Sequence, residues 1–236
     1  MSPEEFKKLV HSRRSVRIFS AKPVPENVVN ECLNLALLAP NSSNLQPWEF
    51  HWVRSNEKKE QLIKACLSQP AASTAAELIV CVARTATWRK NAKKMLEILE
   101  SQSDKVPKTA IDYYRKIVPF AYTQGYFNIF GWIKRILVFL IGFKTPVPRN
   151  PVSRNDMVTW ASKTCALAAE NLMLAIHAHG FDTCPMEGFD ARRIHKILNL
   201  PSDSHTVMVV AVGEKAPEGV YGPRIRFERE LFIKEV

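Results

Sequence analysis

The sequence predicts an α+β domain, and three observations carry that expectation. Helix-like and strand-like segments alternate without a clean βαβ repeat, which argues against a parallel doubly wound sheet. Leu78–Ala83 is a short continuous apolar run, the pattern of a strand buried on both faces. Glycine is scarce, at 8 residues, and neither G-x-G-x-x-G nor G-x-x-x-x-G-K-[ST] occurs, so a glycine cradle for a dinucleotide or nucleotide is not expected. The 236 residues are 46% hydrophobic and 24% charged, enough for one sizeable core and unlike a disordered chain.

In chain order, Ser2 followed by Pro3 and Glu5 is a helix start, and the helix should run to about His11 with Phe6, Leu9 and Val10 inward. A basic segment, His11 to Phe19, follows. A second helix begins near Pro25, carries Val28, Val29, Cys32, Leu35 and Ala36 at helical spacing, and is stopped by Pro40. Trp48–Arg54 reads as strand, Asn56–Leu67 as helix. Residues 156–179 form the longest helical candidate. It is apolar nearly all round, so its own core or a second subunit must cover most of it. Gly180 ends it; a turn region, a helix over Ala191–Leu198 and a strand over Thr206–Val212 follow. Arg224–Val236 should be extended.

Within this single domain, 1–236, residues 117–155 stand apart. They hold eight of the 22 aromatic residues and five basic residues, with no acidic one. The longest strictly apolar stretch, Ile136–Ile141, is far short of the roughly 20 residues that span a bilayer. A lid over a pocket, a dimer-wrapping element and an interfacial helix remain open. The five cysteines lack any C-x-x-C and read as reduced thiols; no zinc set is expected. The N-terminus has no signal-peptide pattern, and a cytoplasmic location is expected.

Four clusters can carry chemistry. Arg13, Ser15 and Arg17 share one side if extended, and two guanidiniums with a hydroxyl suit a phosphate, although a solvated basic loop reads as well. Ala39–Trp48 packs amide and hydroxyl groups beside an indole, fit for a flat heteroaromatic ligand or for a plain turn. In Pro185–Asp190, Gly188 permits close backbone approach, and Glu187 is either a base or the acid at a helix start. Arg224 and Arg226 alternate near the C-terminus.

Taken in this order, the four clusters resemble the nitroreductase-like FMN-dependent oxidoreductase family, over nearly the whole chain except roughly 95–155. The resemblance implies a central, mostly antiparallel sheet flanked by helices, in a homodimer with an extended C-terminal arm and two FMN sites across its interface. It implies that Arg13, Arg14 (through its backbone) and Ser15, joined by Arg224 and Arg226, anchor the phosphate and ribityl chain. Arg17 then reaches the ribityl or pyrimidine side. Pro40, Asn41, Ser42 and Asn44 come from the other subunit, while Pro185, Met186, Glu187 and Gly188 lie against the isoalloxazine, the Glu187 N–H near N5. No side chain need be a catalytic acid or base, because the cofactor carries the hydride chemistry and nearby arginines favour its negatively charged reduced form.

NAD(P)H is the implied co-substrate, in ping-pong alternation with a small organic acceptor such as a nitroaromatic or quinone. Family members often supply an Asn and a Lys ahead of the strand at Leu78; here only Gln69 could bond there. The same fold could instead run dehalogenation or heterocycle oxidation. A different class, a basic membrane- or nucleic-acid-binding protein, draws on the net charge of +10. Nucleic acid is not expected as a partner, and contact of 117–155 with a membrane surface is open but not expected.

Overall fold

The computed structural model describes residues 2–236. Helix α1 (Pro3–Ser12) starts as the sequence predicts: the Glu5 N–H donates to Ser2 Oγ at 3.2 Å, and the Glu5 carboxylate accepts from the Ser2 N–H. Its apolar residues, however, are not buried within the chain. Helix α2 (Glu26–Ala36) buries Val29, Cys32 and Ala36. Strand β1 (Trp48–Trp52) precedes α3 (Asn56–Ala65), the short α4 (Pro70–Ser73) and strand β2 (Glu77–Arg84).

Helix α5 (Trp88–Ser101) leads to α6 (Lys108–Asp112), which runs through a π-helical turn, Tyr113–Ile117, into α7 (Val118–Tyr122) and then α8 (Ile129–Ile141). Helix α9 (Arg154–Ala178), capped by Ser153, is followed by β3 (Asp182–Met186), α10 (Ala191–Leu198) and β4 (Ser204–Gly213). Sequence reading leaves β3 as a turn region because Pro185 interrupts its pattern. The structure accommodates Pro185 because β3 is an edge strand, where a missing N–H costs no ladder bond on the open side. Arg224–Val236 is irregular apart from a 3₁₀ turn at Arg229–Leu231.

The sheet order is β1-β2-β4-β3, and every pairing is antiparallel. The central strands β2 and β4 are covered on both faces, which is why they read as continuous apolar runs. Ile79, Cys81, Ala83, Val210 and Val212 face the layer made by α2 and α9. Leu78, Val80, Val82, Val209 and Ala211 face residues of α3, α4 and α10, among them Leu62, Ala71 and Ile194. Each large aliphatic buried here contributes about 1.5–3 kcal/mol. A third, smaller core joins Leu45, Trp88, Val118, Tyr122 and Met157 beneath the 117–155 excursion.

Helix α9 buries three of its sides and leaves a stripe, Thr159, Lys163, Leu167 and Glu170, exposed. All five cysteines are free and buried. Among the described residues, no helix is long and apolar enough to cross a membrane.

Candidate functional site

The N-terminal basic segment is drawn out by backbone pairing on two sides. Val16 donates to the Thr183 carbonyl at 3.0 Å, and Ser15 forms a parallel bridge with Thr183, so residues 13–17 lie beside β3. On the other side Arg17 donates to the Gly219 carbonyl, Ala216 donates to that of Ile18, and Phe19 bridges Lys215. The chain leaving β4 therefore runs along the segment following α1, and the two ends of the polypeptide meet.

Their meeting creates a groove of about 400 Å³ lined by Arg13, Arg14, Ser15, Arg17, Val220–Pro223, Arg224, Ile225 and Arg226. Five guanidiniums and no carboxylate line it. The Arg14 side chain, expected to act through its backbone, spans the groove and donates to the Gly222 carbonyl at 2.7 Å. Arg224 donates to the carbonyls of Arg13 and, at 3.0 Å, His11. Arg226 turns back to its neighbour's carbonyl. No carboxylate lines the groove; Glu170 lies 3.9 Å from Arg13 Nε but is half exposed, so solvent screens that ion pair. Desolvation, and then Arg226, Arg14 and Arg13, hold the Arg224 guanidinium below its ordinary pKa. Five guanidiniums lining one groove form a site for a polyanion, and guanidinium forks match the oxygens of a phosphate. The donor set thus fits the phosphate end of FMN.

Two further predicted segments border this region. Pro185 and Met186 end β3, with Met186 buried in the core and Glu187 exposed beyond it. Gln69 donates to the Gly188 carbonyl at 2.7 Å, so this side chain braces the segment expected to face a ring. Burial pushes the Cys184 thiol up in pKa, while Arg17 pulls it the other way, which puts the Arg17 charge close to this strand. Glu187 is not the helix cap: Asp190 is, accepting from the Arg193 N–H at 3.1 Å.

The remaining group, Pro40, Asn41, Ser42 and Asn44, does not line the groove. It occupies a tight loop in which Ser43, Asn44 and Gln46 adopt positive φ. Asn41 Oδ1 accepts from the Gln46 N–H at 2.8 Å, and Asn44 Oδ1 accepts from the amides of Asn41 and Gln46. The chain entering the aromatic excursion, from Tyr113 to Tyr122, grips this loop. The Tyr122 hydroxyl lies 3.1 Å from Ser42 Oγ, that of Tyr113 lies 2.6 Å from Ser43 Oγ, and that of Tyr114 donates to the Ser43 carbonyl at 2.7 Å. Sequence reasoning missed these three tyrosines. Their contacts cross about 70 residues or more, and no local pattern reports such a pairing.

Comparison with known proteins bears on the family and the fold. The sequence model of the Nitroreductase family matches residues 10–214. The chain is 30% identical over 217 residues to an NADH dehydrogenase of Thermus thermophilus, covering 92% of this chain and 90% of that protein. It is 26% identical to a 4-nitrobenzoate reductase of Pseudomonas putida, with 97% and 92% covered. Among solved structures, a nitroreductase-like protein from Streptococcus mutans superposes with a TM-score of 0.75 at 20% identity, both chains fully covered. A protein from Exiguobacterium sibiricum crystallised in complex with FMN gives 0.70 at 24% identity, with 98% and 97% covered. These two show a shared fold.

Proposed function

The chain belongs to the nitroreductase family, and from that premise we propose that it is an FMN-dependent oxidoreductase passing reducing equivalents from NAD(P)H to a small organic acceptor such as a nitroaromatic or a quinone. The observation that carries this reading is the convergence of five arginines from both ends of the chain on one acid-free groove. Bound there, FMN would supply the hydride chemistry. The chain's own residues bind and orient. Arg13, Arg14, Arg224 and Arg226, with the Ser15 hydroxyl, hold the phosphate and ribityl chain, and Arg17 lies toward the ring. Gln69 braces Gly188, so that the segment from Pro185 to Gly188 presents a fixed backbone edge to the ring.

Pro40, Asn41, Ser42 and Asn44 serve the site of a second subunit in a homodimer. Support for the dimer comes from exposed Leu167 on α9, Phe6 and Val10 on α1, and Leu35, Leu37 and Leu38 at the end of α2, all on elements that pack together. Large apolar side chains at such neighbouring positions fit a subunit interface.

Purified protein is expected to show flavin absorbance bands and to release FMN on denaturation. Colourless protein that takes up no added FMN would overturn the proposal. Arg13→Ala is expected to weaken FMN binding about ten- to a hundredfold, since a charge-assisted bond to phosphate is worth about 1.5–3 kcal/mol; titration monitored by flavin fluorescence measures it. Oxidation of NADH and NADPH, each with a nitroaromatic and with a quinone, then defines donor and acceptor.

A further inference from the structure

We propose that α8 is a membrane-surface helix, which seats the protein on an anionic lipid bilayer. The argument starts from the way α8 is attached. Its inner line is Gly131, Lys134, Val138 and Gly142, the only positions between 131 and 142 that are buried or half-buried. Lys134 reaches inward and donates to the carbonyls of Ala121 at 2.6 Å and Pro151 at 2.9 Å. Gly131 sits so close to the Val152 carbonyl that a Cβ there would come within 2.3 Å of its oxygen. The polar and small residues thus face the protein, and the apolar ones face out.

At 100° per residue the outward side chains Phe139, Trp132, Ile136, Leu140, Leu137 and Ile141 sweep in turn through about 200° of arc. Each is between 41% and 58% exposed. This is amphipathy inverted. A helix that docks against one neighbour shows an apolar stripe of about 100° or more, and the arc on α8 is about twice that minimum. A helix lying in the interfacial plane of a bilayer is covered by lipid over that wider arc.

The charges and aromatics point to the same occupant. Residues 117–155 contain no acidic side chain, the whole chain carries +10, and Arg135, with its guanidinium 5.0 Å from the Trp132 ring, flanks the apolar arc. Lys144 follows the helix. Basic side chains beside an apolar face draw a helix to anionic headgroups. Trp132 and the exposed Tyr126 are the residue types favoured at the headgroup level. With no spanning helix among the described residues, the contact is peripheral.

Full-length protein is to be mixed with vesicles of phosphatidylglycerol and phosphatidylcholine, and with phosphatidylcholine alone, and bound protein measured by flotation across a salt series. The expected result is binding to the anionic vesicles that weakens as salt rises. The double variant I136E/L140E changes only exposed positions and should retain its circular dichroism and unfolding midpoint. Its vesicle affinity should fall about tenfold or more. R135Q/K144Q should lower the preference for anionic lipid by about thirtyfold. Wild-type protein that stays unbound overturns the proposal, as does I136E/L140E binding as well as wild type. Sedimentation of the same samples provides the remaining arm: if I136E/L140E dissociates a larger wild-type assembly, a second copy covers α8 and the lipid assignment is wrong.

Discussion

Burying an ammonium group makes its contribution to stability depend on pH, and Lys134 shows the sign. Desolvation lowers its pKa from 10.5 to about 8, with Asp156 opposing. Between these values the folded protein has released the proton while the unfolded chain still holds it. The unfolded state then binds more protons, so stability rises as pH climbs from about 8 toward 10.5. Thermal unfolding across that window should show wild type gaining relative to Lys134→Met; parallel curves would mean that the amine is not desolvated. The spacing of Arg13, Ser15 and Arg17 was legible in the sequence because an extended segment puts alternate side chains on one side. Nothing local marks Lys134 as buried, since its partners are carbonyls of Ala121 and Pro151 supplied by the tertiary fold. Cysteine chemistry recedes for a related reason: burial raises the pKa of Cys32 and Cys66 to about 11 and that of Cys165 to about 12, so these thiols stay protonated at neutral pH.

Helices and loops are coupled through contacts that a one-dimensional pattern does not record. Gly131→Ala should force α8 off its seat, because the obstruction is the backbone oxygen of Val152 and cannot rotate away. Protease sensitivity and amide exchange over 123–153 should rise sharply while the sheet stays protected. Unchanged exchange there would show that α8 is not held at Gly131. Tyr122→Phe removes the hydroxyl shared by Ser42 and Ser43, at a cost of about 1 kcal/mol. That loss should appear as a lower unfolding midpoint and a more mobile 40–46 loop. Elements with strong local signals were read correctly: the capping box of α1, the apolar runs in β2 and β4, and α10 with its start at Ala191. Strand β3 was not, because Pro185 removes the usual pattern and only pairing with β4 reveals the strand.

Across the whole molecule, the distribution of exposed apolar surface predicts assembly. In the proposed homodimer, Leu167→Glu places a charge in the exposed stripe of α9 and should convert dimer to monomer in sedimentation experiments, with FMN retention falling in parallel if Pro40, Asn41, Ser42 and Asn44 complete the neighbouring site. A monomer that keeps its flavin would show that each site is complete within one chain. By itself the sequence determined the fold class, the order of most elements and the identity of the basic and polar clusters, since these rest on local propensity, periodicity and residue chemistry. Only the tertiary structure decided which clusters meet. Pairing of residues 15–20 with β3 and with the chain after β4 brings arginines some 200 residues apart into one groove, and packing through Gly131 and Lys134 turns the apolar side of α8 outward. Both outcomes depend on long-range hydrogen bonds and steric fit, for which residues adjacent in sequence carry no record.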